Sequence, residues 1–497
     1  MRRLAWTMMM LAAALGVLLL GSCTHVGAIR TVAAPTDVLP IQQTSDLLAL
    51  CSPGTGRGNT GGELFNSIED YGNYSISYAE YSDQGWEYNG GAQRKALIKK
   101  LSAEMRNPQS ANASLINVVF IHGWHHSAHD DDCNVNEFRA MIHQLNADFK
   151  QPSAIATASP QFHFNGIYVG WRGDSLTLPA LRHITVFDRR VAAEHIAKGA
   201  VRELFADLRH LELDDEETHA SARHPKGRVR TIVIGHSFGG LIAFHSLSPG
   251  LINDLSLSRP LEDDRPAAAQ CGKAAASRRF WPDMTILINP AFEASRFQAV
   301  SDVARHSRAC KDENPRPKLI VVTADNDVPS GKIYPIFRSV ASIFEQYDST
   351  SSVSEALERE ANIRVVGFVK RYQSHRLALE SVGNVACVRE TGIFLNAHEK
   401  TAAAVTAPAT APADPAAQAR LDARREAAVA LNSAQHVWVV GVPPEIVDGH
   451  DGFLYPNASA GKYEPHLLNW LVGVYLRNSE AVDIKQRLQH PPYRMCP

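Results

Sequence analysis

Two rhythms alternate along this chain. Short, nearly continuous apolar runs, each ended by glycine or a polar turn, occur at Leu115 to Ile121, Gly166 to Trp171, Thr231 to Ile234, Met284 to Ile288, Lys318 to Thr323 and Val437 to Val442. Runs of this length, rich in Val and Ile, predict strands covered on both faces. Between them the apolar spacing turns helical: a helix is predicted around Asn136 to Phe149. Another is predicted over 187–211, where Val191, Ile196, Val201, Leu204, Leu208 and Leu211 share one face. Strands alternating with helices predict an α/β fold, a mostly parallel central sheet flanked by helices and joined by right-handed crossovers.

Two segments break the rhythm. Residues 249–283 carry Pro249, Pro260, Pro266 and Pro282 and read as one long connection. Residues 401–417 (TAAAVTAPATAPADPAA) begin an Ala/Pro low-complexity stretch, about 401–430, that predicts an extended, solvent-exposed insertion. A strong strand follows it, so it reads as interrupting a domain. The expected layout is one domain over 63–480 with insertions between the later strands, then a tail over 481–497. A two-domain division near residue 400 is the other arrangement this pattern allows. There is no internal repeat.

The first residues obey neither rhythm. Arg2 and Arg3 precede an apolar stretch from Leu4 to Leu20, which ends in Gly21, Ser22 and Cys23. A basic head, an apolar core and small residues at the end predict a signal peptide over 1–22; a single membrane-spanning anchor is the alternative. Leu20-Gly21-Ser22-Cys23 resembles a bacterial lipobox, whose cysteine is lipidated. That resemblance implies a lipid anchor on Cys23, a tether over 23–62, and a place in the cell envelope. Thr24 rather than Asp after the cysteine resembles outer-membrane sorting.

Composition adds limits. Formal net charge is −2 over 497 residues, without the basic excess that nucleic-acid binding requires. Without Cys23, six cysteines remain: Cys51, Cys133, Cys271, Cys310, Cys387 and Cys496. An exported chain with an even set is compatible with disulfides, Cys271–Cys310 and Cys51–Cys133 being the expected pairs; buried free thiols are the alternative. No Cys-x-x-Cys is present, which argues against a zinc knuckle.

Reactive chemistry concentrates at Thr231-Ile232-Val233-Ile234-Gly235-His236-Ser237-Phe238-Gly239-Gly240. An apolar strand runs into Gly-x-Ser-x-Gly and then into a helix. The glycines make room for a strained strand-to-helix turn, and an exposed serine Oγ on that turn becomes nucleophilic once a base takes its proton. A structural glycine-rich turn is the plainer reading. His122, His125, His126 and His129 beside Asp130, Asp131 and Asp132 could be read as a metal cluster, but their spacing matches no metal motif.

Across about residues 110–475 these features resemble the α/β-hydrolase family. The resemblance implies Ser237 as nucleophile and an oxyanion hole from the amides of Phe238 and of the His122-Gly123-Trp124 turn. Trp124 is the preferred donor there, with Gly123 and His125 as alternatives. It implies an acid after the strand ending at Thr323, where Ala324-Asp325-Asn326-Asp327 selects Asp327, with Asp325 as runner-up. It also implies a histidine after the last strand, where Gly449-His450-Asp451-Gly452 selects His450 over His375, His398, His436 and His466. The order Ser237, Asp327, His450 is the family's order. The stretch between Val369 and Gln435 departs from it and leaves the last two strands, and hence the acid, open.

The function so implied is hydrolysis of carboxylic esters, including lipid esters at a membrane, without metal or organic cofactor. Amide, thioester and lactone substrates remain open. The competing class is a surface lipoprotein that keeps the fold as a binding module without catalysis.

Overall fold

A computed structural model describes residues 27–32, 38–40, 66–107, 113–150, 161–173, 186–219, 228–257, 280–306, 317–382, 385–392, 436–454 and 494–495. Among these, eleven strands form one sheet: β1 (Ile68–Asp70), β2 (Tyr74–Tyr81), β3 (Ala113–Ile121), β4 (Gln161–Trp171), β5 (Val229–His236), β6 (Met284–Ile288), β7 (Leu319–Ala324), β8 (His375–Val382), β9 (Val385–Gly392), β10 (Val437–Val442) and β11 (Arg494–Met495). Their order is β1-β2-β4-β3-β5-β6-β7-β10-β8-β9-β11, and only the β1–β2 and β8–β9 pairs are antiparallel. The helices are α1 (Ala92–Arg106), α2 (Cys133–Lys150), α3 (Val186–Lys198), α4 (Val201–His219), α5 (Phe238–Leu257), α6 (Gln298–His306), α7 (Tyr334–Ala341) and α8 (Ser352–Ile363).

Successive residues of the central strands serve opposite faces. Val119, Ile121, Val233, Leu287, Val321 and Val439 pack with residues of α3, α4 and α5, while Val118, Phe120, Ile232, Ile286, Ile320 and Val440 pack with residues of α2. Covering both faces explains why these strands are apolar at nearly every position, and why all six expected strands are present.

Three sequence expectations need correction. The helix expected over 187–211 is two helices, because the Gly85 carbonyl lies where a side chain on Gly199 would be (2.4 Å) and binds the Ala200 amide at 2.8 Å. The connection expected from 249 begins later, since α5 carries Pro249 within it and reaches Leu257, with Leu255 buried. Part of the expected tether is docked rather than free: the Ile29 and Arg30 amides donate to the Glu80 carboxylate at 2.9 and 2.8 Å, and Arg30 Nε to the Ala128 carbonyl at 2.7 Å. The Arg30 guanidinium joins a buried ion-pair cluster with Glu69, Arg139 and Asp130. Its charges are largely withdrawn from water and are held by one another.

The stretch after Val369 holds an antiparallel hairpin, β8–β9, which continues the sheet beyond β10. β10 pairs with β7 residue for residue, from Val437 with Leu319 to Val442 with Ala324. The two strands therefore end level, and the turns that follow them meet. The signal segment, Cys23, the 401–430 stretch and the 481–493 part of the tail lie outside the described residues. So do Cys51, Cys271 and Cys310, on which the expected disulfides depend.

Candidate active site

β5 delivers Ser237 at the carboxyl edge of the sheet, between β3 and β6. Ser237 has φ +53°, in the left-handed region that costs a side-chain-bearing residue energy and persists only when neighbours enforce it. Those neighbours are specific: the Ser237 amide donates to the Ile288 carbonyl, and the Ser237 carbonyl accepts from the Ala291 amide, each at 3.0 Å. The flanking glycines are a matter of space. A Cβ on Gly239 would sit 2.0 Å from the Ile121 carbonyl oxygen, and one on Gly235 would sit 2.6 Å from that of Gly239. The expected openness of the serine is not found. Ser237 is only 4% exposed, because the backbone of Gly123 lies against its Cβ and His450 faces its hydroxyl.

His450 Nε2 lies 2.9 Å from Ser237 Oγ, and His450 Nδ1 lies 2.9 Å from Asp327 Oδ1. The carboxylate accepts, so Nδ1 carries the hydrogen and Nε2 turns its lone pair toward the serine. Asp327 Oδ1 also accepts from the Ser330 amide at 3.0 Å, while its Oδ2 is buried and has no hydrogen-bond partner among the described residues. Burial lowers the affinity of His450 for a second proton, but the hydrogen bond to Asp327 and the charges of Asp327 and Asp451 outweigh it. The ring therefore protonates above its ordinary 6.5.

The alternatives for the acid are engaged elsewhere. Asp325 pairs with Arg376 on the surface. Glu293, after β6, is enclosed by Arg190, Arg296 and Arg338. His375 is a core residue of β8 with its ring stacked on Trp438, 4.2 Å between centroids, and burial depresses its pKa to about 4. The carbonyl of His436 accepts from the Lys318 amide, whereas His398 and His466 lie outside the described residues.

Sequence reasoning missed the residues that hold the histidine loop. The His450 carbonyl accepts from Asn289 Nδ2 and from His236 Nε2, both at 2.9 Å, and Asn289 Nδ2 also reaches the Gly449 carbonyl at 3.0 Å. Burial and the neighbouring His450 hold the pKa of His236 down at about 3, so its neutral ring donates through Nε2. Asn326 clasps the same loop from the other side, donating to Asp448 Oδ1 and accepting from the Gly449 amide, each at 2.9 Å. The available signal was position: Asn289 and Asn326 are polar residues just past the ends of β6 and β7, and Asn tolerates the left-handed φ of +44° that Asn289 adopts.

The His122-Gly123-Trp124 turn sits beside Ser237 as expected. Of its three candidate amides, that of His125 is engaged, donating to the Gly173 carbonyl at 3.2 Å. His125 itself has φ +71°, and its ring stacks on Trp124 at 3.8 Å between centroids. Phe238 opens α5, where the first amides of a helix have no carbonyl one turn back and the dipole is positive.

The neighbouring histidines do not gather into a ligand set. His122 is buried, with Nδ1 at 2.8 Å from the Gly123 carbonyl and Nε2 accepting from the Trp171 amide at 3.0 Å. Burial lowers its pKa to about 4. His126 loses affinity for protons on burial but gains more from Asp132, 2.9 Å away, and ends at about 9. Among the described residues, His236, His450 and Asp451 bring potential ligand atoms within 4.8 Å of one another. The ring nitrogens of His450, however, face Ser237 and Asp327.

No protein-family model and no curated protein matches this chain. Among solved structures, phospholipase PlaB from Legionella pneumophila in complex with thio-NAD is similar to it at 15% identity and a TM-score of 0.23, over 56% of this chain and 48% of that one. The chain thus spans about half the length of that protein, and a likeness this slight bears on neither fold nor activity.

Proposed function

We propose that this protein is a serine hydrolase that cleaves carboxylic esters, lipid esters included, through Ser237, His450 and Asp327. The observation that carries the reading is the unbroken hydrogen-bonded chain from Asp327 through His450 to a serine held in a left-handed strand-to-helix turn. In the proposed reaction His450 Nε2 takes the Ser237 proton as Oγ bonds to the ester carbonyl carbon. The amides of Phe238 and Trp124 hold the resulting oxyanion. The imidazolium, stabilised by Asp327, gives its proton to the departing alcohol, which leaves an acyl-enzyme. Water, deprotonated by the same nitrogen, then releases the carboxylic acid and restores Ser237. Every proton in this cycle moves between His450, serine, water and substrate, so the steps call for no metal or organic cofactor.

The test is labelling with a fluorophosphonate, followed by an ester panel of increasing acyl length. A single adduct on Ser237 with turnover of at least one ester is expected. A chain that neither labels nor turns over any ester would be a binding module on a hydrolase-like scaffold, and the proposal would fail.

We place the protein on a membrane of the cell envelope, the outer membrane by preference, through a lipid on Cys23. The support is the Arg-Arg head, the apolar core and the Leu-Gly-Ser-Cys end. Mass spectrometry of membrane-extracted protein is expected to find nothing before Cys23 and a diacyl or triacyl increment on it. Recovery of Met1, or of an unmodified Cys23 thiol, would remove the anchor. Among the described residues no helix is long and apolar enough to cross a membrane.

A further inference from the structure

Helix α7 shows apolar side chains to the outside while its charge is held within. Its one charged residue, Arg338, points inward: the side chain is 11% exposed and reaches the buried Glu293 at 3.0 Å and the Asn362 carbonyl at 3.2 Å. Tyr334 packs inward against the core and Phe337 against Phe187, but Ile336 is 66% and Val340 69% exposed, and Phe344, in the turn after the helix, is 94% exposed. Ile333 and Ile343 are exposed as well. Ile333, Ile336 and Val340 recur at helical spacing through the turn Pro329–Ile333 and α7, and Ile343 and Phe344 follow in the turn after it, so the exposed residues belong to one continuous stretch. A surface helix of a water-facing protein puts such a row on the core. A contiguous apolar face left outside marks an interaction surface. Here the inward side is occupied by Arg338, one of three arginines around Glu293, and by Tyr334, so rotating α7 would break a buried ion pair and expose a packed ring.

Three observations identify what the row meets. First, it grows out of the turn that carries Asp327, since the helical turn Pro329–Ile333 leads straight into α7. Second, the chain's N-terminal segment docks on this edge of the sheet: Ile29 and Arg30 bind Glu80, near the carboxyl end of β2, and Ala128, beyond the carboxyl end of β3. Third, only five residues lie between Cys23 and Ile29. At about 3.3–3.6 Å per extended residue, the six steps can reach at most about 20 Å. A lipid on Cys23 would thus hold the edge bearing Ser237, and the row beside it, close to the bilayer. We propose that the outward face of α7 seats in the surface of the lipid bilayer that carries the anchor, and so presents the Ser237 edge to lipid. The charged residues nearest the row in sequence include Glu345, Asp348 and Glu355 as well as Lys332. The contact is therefore apolar rather than electrostatic, and it does not depend on anionic lipid.

The inference rests on the membrane placement proposed above but not on turnover. A chain beginning at Thr24 retains every described residue and lacks the lipid, which makes it the form to test against vesicles of neutral phosphatidylcholine. It is expected to float with them, in 0.1 M and 1 M salt alike. An Ile336→Asp/Phe344→Asp variant is expected to lose vesicle binding at least tenfold while keeping its fluorophosphonate labelling and its rate on a short water-soluble ester. A Val340→Asp variant is the independent repeat should the double variant fold poorly. Absence of flotation by the parent chain, or flotation that survives both sets of substitutions, overturns the proposal. So does a dimer in solution that these substitutions dissociate without any vesicle binding, because the face would then join two copies. An inactive chain that floats leaves the docking intact and overturns the hydrolase reading; an active chain that does not float does the reverse.

Discussion

Ser237→Ala is expected to lower ester turnover by about six orders of magnitude, which is the loss when a serine nucleophile acting with its histidine is removed. The fold should be unaffected. The substitution deletes one oxygen whose partner is His450 Nε2, while the backbone bonds from Ile288 and Ala291 that impose the turn remain. The measurement is initial rate on the best ester of the panel, beside far-UV circular dichroism and thermal melting. A variant that keeps a tenth of parental activity with an unchanged spectrum would disprove the nucleophile assignment.

Asp327→Asn against Asp325→Asn is the second large contrast. Asp327 meets His450 Nδ1 at 2.9 Å with its side chain fully buried, so the amide would remove both the charge and the control of tautomer. Turnover should fall by about two to four orders of magnitude. Asp325 is in an exposed pair with Arg376, an interaction typically contributing about 0–1 kcal/mol, so its loss should change turnover less than about fivefold. The pH profile separates positioning from simple damage. His450 must be neutral to accept the serine proton, so kcat/KM rises with pH as the ring loses its own proton. Because Asp327 helps raise that pKa above 6.5, the acidic limb of the parent enzyme lies above 6.5. Removing the negative charge lowers the pKa, and the limb of Asp327→Asn should move to lower pH. An unmoved limb, or equal losses in the two variants, would show that Asp327 does not serve His450.

Much of the site was legible because its signals are local. The Gly-x-Ser-x-Gly turn carries its own explanation in glycines that have no room for a Cβ. Strand-then-turn placement narrowed the acid to Asp325 or Asp327, and the resemblance to the α/β-hydrolase family favoured Asp327 and the glycine-flanked loop of His450. Signals dispersed over the chain were less legible. The stretch after Val369 was obscure in sequence because the hairpin β8–β9 extends an edge of the sheet that no local pattern specifies. Gly199 did not stand out within a continuous helical period, since the reason for the break there is the Gly85 carbonyl from another part of the chain. The orientation of α7 was equally hidden. Apolar spacing shows that a helix has a face, whereas the side that turns inward depends on Arg338 meeting Glu293 and on Tyr334 packing against the core.

By itself, then, the sequence determined the α/β class, the strands β3 to β7 and β10, and the residue types of the candidate site. The class and the strands follow from periodicity, and the serine turn from steric limits, acting within a few neighbouring residues; the acid and the histidine came from the family resemblance. The tertiary structure alone decided which of those residues meet. His450 lies 213 residues from Ser237 and 123 from Asp327, and they converge because β5, β6, β7 and β10 are adjacent and end near one level of the sheet. It also decided the clasp of His236, Asn289 and Asn326 on the histidine loop, the docking of Arg30, and the outward row on α7. All of these depend on partners brought together by strand order, which is a property of the whole chain's packing rather than of any segment in it.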